Sequence, residues 1–374
     1  MLWNRNFTLL AVANGLLHAA LYAVCLLLYR RLTGVWGCAP LTAGGLCALF
    51  APGMFVPGAF GNYLVDRYTR THVAAGAMLA AGALNLVYPY ATSVVWVAVA
   101  CVLQGTAFGV ALMATGATLA IDVTPSNLRT PANRATAWSA IVGLLGGLTL
   151  ALAVSGRFPF RLEMAAAAAL CGVAALLVLL VQVCFRAPLG VPLCSTDRFL
   201  LARTLVPGVN LMAVPMIWAL AFVAVPDVFL YLCAAGGLLS CLLLRQAVPC
   251  FRSGRLPVVA GQVLSAAGLL SLLLGAGASV AACAGAACIG LGGGLSTGRF
   301  VQIMVRLPRH CERASGFHTW QLLWQSGFAA GLVAGTGGPV APLVLAFLVA
   351  VGALMVYLLY VHDYYERQLQ EENL

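Results

Sequence analysis

The chain has 374 residues, of which 62% are hydrophobic and 8% charged, and its net charge is +10. Soluble domains hold roughly 45–50% apolar and about 25% charged residues, so no water-soluble fold could bury this composition, and the solvent is lipid. All 20 basic residues are arginine, and no basic cluster is long enough to track a nucleic-acid backbone, which argues against that partner.

In lipid, backbone polar groups must be satisfied inside a helix or a closed barrel. The apolar runs here are long and lack period-two alternation, so helices are expected rather than barrel strands. A window of about 19 residues places twelve spans near 7–29, 40–62, 73–91, 94–119, 136–156, 163–185, 205–225, 227–247, 257–277, 279–304, 316–336 and 339–361.

Arg5 followed by an apolar run has the outline of a signal peptide, but that run ends only at Arg30 and Arg31 and reads better as the first span. At mid-depth it carries Asn14 and His18, one turn apart on one face. Intramembrane polar groups mark candidate sites. His18 is the titratable group at mid-depth that changes charge near neutral pH. Two readings stay open for it: substrate contact or proton carrier, and a neutral imidazole bonded between helices. The second span holds Pro52, Gly53, Pro57 and Gly58, which permit bending. It runs into "NYLVDRYTRTH", a polar interruption placing Asp66, Arg67 and Arg70 at its inner end. A carboxylate there is able to cap the positive end of a neighbouring helix, with the eleventh span as candidate, or to pair with Arg70 or Arg129. The bland alternative is a solvated basic loop.

Gln104 sits near the middle of the fourth span within "CVLQG", and the fifth span has small residues at Gly143 and Gly147. The segment 186–204, with Pro188, Pro192, Asp197, Arg198 and Arg203, reads as a cytoplasmic linker between halves 1–185 and 205–374. In the seventh span, Asn210, Pro215 and Trp218 point to a broken helix with a polar handle. The tenth span reads "GLGGGLSTGRF"; Arg299 there either snorkels to the cytoplasm or faces a cavity. In the eleventh, "FHTWQLLWQSG" puts His318, Gln321 and Gln325 on one face and Trp320 and Trp324 on another. The polar stripe is the expected pathway lining, and the opposite assignment stays open.

Cysteine occurs 13 times, mostly inside apolar runs, where it behaves as a small hydrophobe. Cys38 stands alone in an outer loop, so no disulfide framework is expected, and no metal or cofactor motif is visible. Sixteen of the 20 arginines fall in the inner segments, against Arg30, Arg31, Arg157 and Arg161 outside. That asymmetry places both termini in the cytoplasm. The halves also echo one another. "DRYTR" at 66–70 matches "FRSGR" at 251–255, aligning Arg67 with Arg252 and Arg70 with Arg255. "TPSNLRTPANRATAW" at 124–138 matches "LPRHCERASGFHTW" at 307–320. Duplicated parallel halves with a site at their interface are a transporter architecture; two ordinary basic loops are the alternative.

On these residues the chain resembles the major facilitator superfamily. That family's loop pattern G-x-L-x-D-R-x-G-R is met by Leu64, Asp66, Arg67 and Arg70, with Asn62 and Thr69 in place of glycines. Its R-x-x-Q-G pattern is met by Gln104 and Gly105, with Cys101 in place of Arg. The antiporter Gly-Pro step is lacking. The resemblance implies an all-α polytopic membrane protein of about twelve transmembrane helices in two pseudo-symmetric six-helix bundles, working by alternating access. Asp66, Arg67, Arg70, Arg129, Arg252 and Arg255 are the expected gating residues.

No carboxylate lies at mid-depth; Asp122 and Glu163 are at span ends. The expected cargo is therefore a neutral, amphiphilic or weakly anionic small molecule, with export one direction considered. The partners are that substrate and the lipid bilayer, with a coupling proton left open, no nucleic acid, no cofactor, no metal, and a monomer in a bacterial inner membrane. The alternatives are a sensor or binding protein derived from a transporter, a membrane-embedded enzyme or lipid flippase, and a channel. An enzyme is not expected, since no convergent acid–base or metal set is visible.

Overall fold

The structure, a computed structural model, describes residues 2–58, 60–183, 190–195, 199–275, 279–309, 312–337 and 340–373. Arg186, Pro188, Asp197 and Arg198 of the expected linker lie outside the described residues. Among the described residues the regular structure is helical, with no strand. The chain divides into two compact units, Met1–Ala202 with Pro308–Leu322, and Arg203–Leu307 with Leu323–Leu374.

The first unit opens on α1 (Arg5–Gly34). The Asn4 side chain starts it by accepting the Phe7 amide at 2.8 Å, a cap worth about 1 kcal/mol. The second expected span is not one rod but three pieces, α2 (Pro40–Ala48), α3 (Phe50–Phe55) and α4 (Phe60–Arg67). Pro57 and Gly58 sit at the break before α4, and Gly58 has φ +45°, a left-handed conformation that glycine tolerates and other residues resist. The bend is 63°. Next come α5 (Arg70–Val87) and α6 (Val94–Leu112). α6 continues through a π-helical stretch, Met113–Leu119, into α7 (Ala120–Asp122). α8 (Arg129–Val154) and α9 (Phe160–Leu179) follow.

In this unit α1 packs along α8 and α9, α5 along α9 and α6, and α3 against α6. The α1–α8 seam is backbone against backbone. A Cβ at Gly143 would overlap the Gly15 carbonyl, and one at Gly147 the Ala19 carbonyl. Small residues one turn apart are how helices approach closely where lipid offers no hydrophobic drive. Asn6 ties α1 to the chain leaving α9, donating to the Gln182 carbonyl at 2.9 Å and accepting its amide at 3.3 Å.

The second unit holds α10 (Leu205–Leu211), α11 (Ala213–Ala224), α12 (Val228–Ala247), α13 (Leu256–Leu274) and α14 (Val280–Arg306). α15 (Arg313–Gly337) begins in the first unit and ends in the second. α16 (Pro342–Val356) runs through a π-helical turn at Tyr357–Val361 into α17 (His362–Asn373). α13 packs on α14 and α16, α12 on α14, and α11 on α16. The break expected in the seventh span falls at Met212, between α10 and α11. Pro215 has no N–H to return to the Leu211 carbonyl, which interrupts the ladder there.

Among the described residues ten helices are long and apolar enough to cross a bilayer, eleven with the bent α2–α4 counted as one span. About twelve were expected from the sequence. The remaining segment, 316–336, does form a helix of 25 residues, about 37 Å at 1.5 Å per residue. Its glutamines, histidine and tryptophans leave it short of a span's apolarity. The outward faces carry exposed Val95, Trp96, Leu176, Leu243 and Leu359, the surface that hydrocarbon solvates. The protein is an all-α polytopic membrane protein.

Candidate functional site

The loop between α4 and α5 is organised by one guanidinium. Arg70, the first residue of α5, bonds Asp66 of α4 at 3.2 Å and Asp122, the last residue of α7, at 2.5 Å. Its Nε donates to the Val65 carbonyl at 3.2 Å. A cation near the end of α4 also suits the negative end of that helix's dipole. All three charged side chains are largely shielded, with 11–22% of each exposed. The pairing of Asp66 with Arg70 is as expected from the loop. Asp122 is the member that sequence reasoning noted only as a span end. Arg67 points into solvent, and Arg129 is half-buried with its Nε unbonded among the described residues.

Asn14 and His18 sit on the α1–α8 seam. The Asn14 amide donates to the Thr136 carbonyl at 3.1 Å and to the Ser139 hydroxyl at 2.7 Å, while its buried Oδ1 has no partner among the described residues. His18 Nδ1 lies 2.7 Å from the Asn14 carbonyl, so Nδ1 carries the hydrogen and Nε2 is left as the other polar atom. The ring stacks on Tyr22 and meets Phe108 edge-on at 5.1 Å.

Gln104 is committed elsewhere. Its Nε2 donates to Asn85 Oδ1 at 2.6 Å, and its Oε1 accepts the Tyr88 hydroxyl at 2.6 Å. Tyr88 also touches the Cys101 thiol at 3.4 Å, and Asn85 faces the Cys171 thiol at 3.9 Å. All five side chains are buried. The network ties α6 to α5 and α9. Asn85 and Tyr88 were missed in the sequence, because a lone amide and a lone tyrosine in an apolar run announce nothing.

The start of α15 joins the first unit. The Thr319 hydroxyl accepts the Leu201 amide at 2.9 Å, and the His318 ring lies 6.4 Å from Phe199. His318 Nδ1 faces Gln321 Oε1 at 3.4 Å. The Gln321 amide lies against Gly116, in the middle of the π-helical stretch of the fourth span, where any Cβ would strike it. Thr115 and Thr118 in that stretch return their hydroxyls to the Ala111 and Ala114 carbonyls. π turns cluster at functional sites, and nothing in the hydropathy pattern marks this one. Trp320 and Trp324 are buried like the polar stripe, so both faces of α15 meet protein. Gln325 is buried as well.

In the second unit Asn210 donates to the Ala353 carbonyl at 2.9 Å, tying α10 to α16, with its Oδ1 unbonded among the described residues. Trp218 lies against the backbone of Gly293. Arg299 does not snorkel: it is 3% exposed. It donates to Gln302 at 3.0 Å and sits 5.1 Å over the Tyr365 ring. Arg252 donates to the Arg245 carbonyl at 3.0 Å and the Gln246 carbonyl at 2.6 Å, closing the C-terminal end of α12. Arg255 is exposed. The arginines that the internal repeat aligns therefore have unlike surroundings: Arg70 bridges two carboxylates, whereas Arg255 faces solvent.

Among the described residues no three His, Cys, Asp or Glu side chains converge as metal ligands. Fold and site together define an integral membrane protein of many helices, with a carboxylate–guanidinium–carboxylate cluster at one end of its first unit. The sequence matches no protein-family model and no curated protein.

Proposed function

We propose that the chain is a secondary transporter of the major facilitator type, moving a small molecule by alternating access. The observation that carries this reading is the Arg70 cluster. Asp66 and Arg70 occupy the loop positions of that family's pattern, and Arg70 joins the ends of α4, α5 and α7. Ion pairs that exist in one state and part in the other bias a two-state equilibrium by their own strength. Asp66, Arg70 and Asp122 act here as an inner latch, with Arg67, Arg129, Arg252 and Arg255 supplying positive charge on the same cytoplasmic side. Both termini face the cytoplasm of a bacterial inner membrane. Asn14, His18, Asn210, Trp218, Arg299, His318, Gln321 and Gln325 are the candidates for the substrate pathway; Gln104 is a helix tie. The cargo is neutral, amphiphilic or weakly anionic.

A second reading, a transporter-derived sensor, is favoured by one feature: Cys101, bonded to Tyr88, stands where the family's arginine would be. A thermal-shift screen of small molecules on the detergent-solubilised protein, followed by flux of each hit into proteoliposomes, separates the two. The transporter gives gradient-dependent flux that D66N slows without changing the melting midpoint. A hit that binds but is not moved, in wild type and variant alike, establishes the sensor.

A further inference from the structure

α12 and α14 pack on one another over several turns. Cys233 lies one turn before Gly237 on α12, and Cys283 one turn before Ala287 on α14, so each cysteine continues the face by which its helix touches the other. Below them a Cβ at Gly237 would overlap the Ala287 carbonyl, and one at Gly290 the Ala234 carbonyl. Lower still, the Arg245 guanidinium lies against the backbone of Gly298. The two helices thus run parallel, and backbone contact one to two turns away brings two short side chains within reach. A disulfide needs Cα atoms within about 7 Å and Cβ vectors that converge.

Both helices start from capped ends on one side. Asp227 accepts the Phe229 and Leu230 amides at 2.8 and 3.0 Å, and Ser279 accepts the Ala282 amide at 3.2 Å. On the proposed topology that side is the outer one, where disulfides form and persist. Cys233 and Cys283 are half-buried, unlike the fully buried Cys25, Cys47, Cys101, Cys171 and Cys241. Cys288, on the same helix as Cys283, faces Gly268 of α13 instead.

We propose that Cys233 and Cys283 are oxidised to a disulfide that staples the outer ends of α12 and α14. The reaction is exchange with an external oxidant of the protein-disulfide class. The thiolate of one cysteine attacks the oxidant's S–S bond and forms a mixed disulfide. The thiolate of the other displaces it, so the Cys233–Cys283 bond forms while the oxidant leaves as a dithiol with the two electrons and two protons. The bridge covers one pair only and asks nothing of the other eleven of the 13 cysteines.

The test takes full-length protein from cells treated with N-ethylmaleimide before lysis and purifies it without reductant. Cleavage at arginine then releases 204–245 and 256–299. The expected result is one cross-linked peptide joined through Cys233 and Cys283, with Cys241 and Cys288 alkylated or free, which dithiothreitol separates. In C233S the partner Cys283 becomes alkylated in the never-reduced protein, and in C283S so does Cys233. Recovery of both cysteines as maleimide adducts from wild type, or a bridge to Cys241 or Cys288, overturns the proposal.

Discussion

Arg70 is the side chain whose loss should be felt most locally. Removing Asp122 takes one partner from a cluster that is partly open to water, so D122N should cost stability about 1 kcal/mol or less. The same amount shifts a two-state balance up to about fivefold. D122N is therefore expected to alter the transport rate by about that factor while its melting midpoint stays near wild type; fluorescence melting and proteoliposome flux check the two halves. Gln104 should behave the opposite way. Q104L leaves Asn85 Oδ1 without its donor and the Tyr88 hydroxyl with only the Cys101 thiol, at about 1–3 kcal/mol for the buried orphan. A clear fall in melting midpoint is expected, and an unchanged one would show that the network does not hold α5 to α6. Asp66 with Arg70 was readable from the loop itself, as neighbours four apart. Asp122 was not, because its meeting with Arg70 depends on where α7 ends, which no local pattern states. The two sides of α15 were separable in the sequence, but not their surroundings: Trp320 and Gln321 are equally buried.

The α1–α8 seam stakes its packing on missing side chains. G143L would drive a branched chain into the Gly15 carbonyl and the His18 Cβ, and overpacking of this kind costs about 1–3 kcal/mol. Reduced yield of folded protein by size-exclusion chromatography is the expected outcome. At Gly58 the difficulty is conformational. G58A must hold φ near +45°, at roughly 1–2 kcal/mol, and the expected result is a lower melting midpoint. The helical spans were readable from hydropathy alone, and Pro57 with Gly58 marked the flexible point of the second. The eleventh span, 316–336, was the hardest to read, because periodic polar residues on a long helix look the same whether protein or lipid will cover them.

For the molecule as a whole, sidedness is the proposition most open to direct test. The proposed topology, with four arginines outside against sixteen inside, predicts that tags on either terminus are digested by protease in inside-out vesicles and spared in right-side-out ones. The same experiment bears on the thiol bridge, which needs the outer face. The chain's class was visible in its composition, since hydrocarbon is the one solvent that accepts it; its two-unit organisation rests on contacts that hydropathy does not encode. One stretch binds these levels together. In the fourth span the ladder between Met113 and Leu119 closes with an extra residue in its loop, and a single residue corresponds to about 100° of helical rotation. Were that residue's slack expelled, everything beyond Leu119 would swivel by nearly a third of a circle, and Asp122 would turn its carboxylate away from Arg70. A wound spring of seven residues, all shut away from solvent, thus sets the angle at which the clasp below it closes.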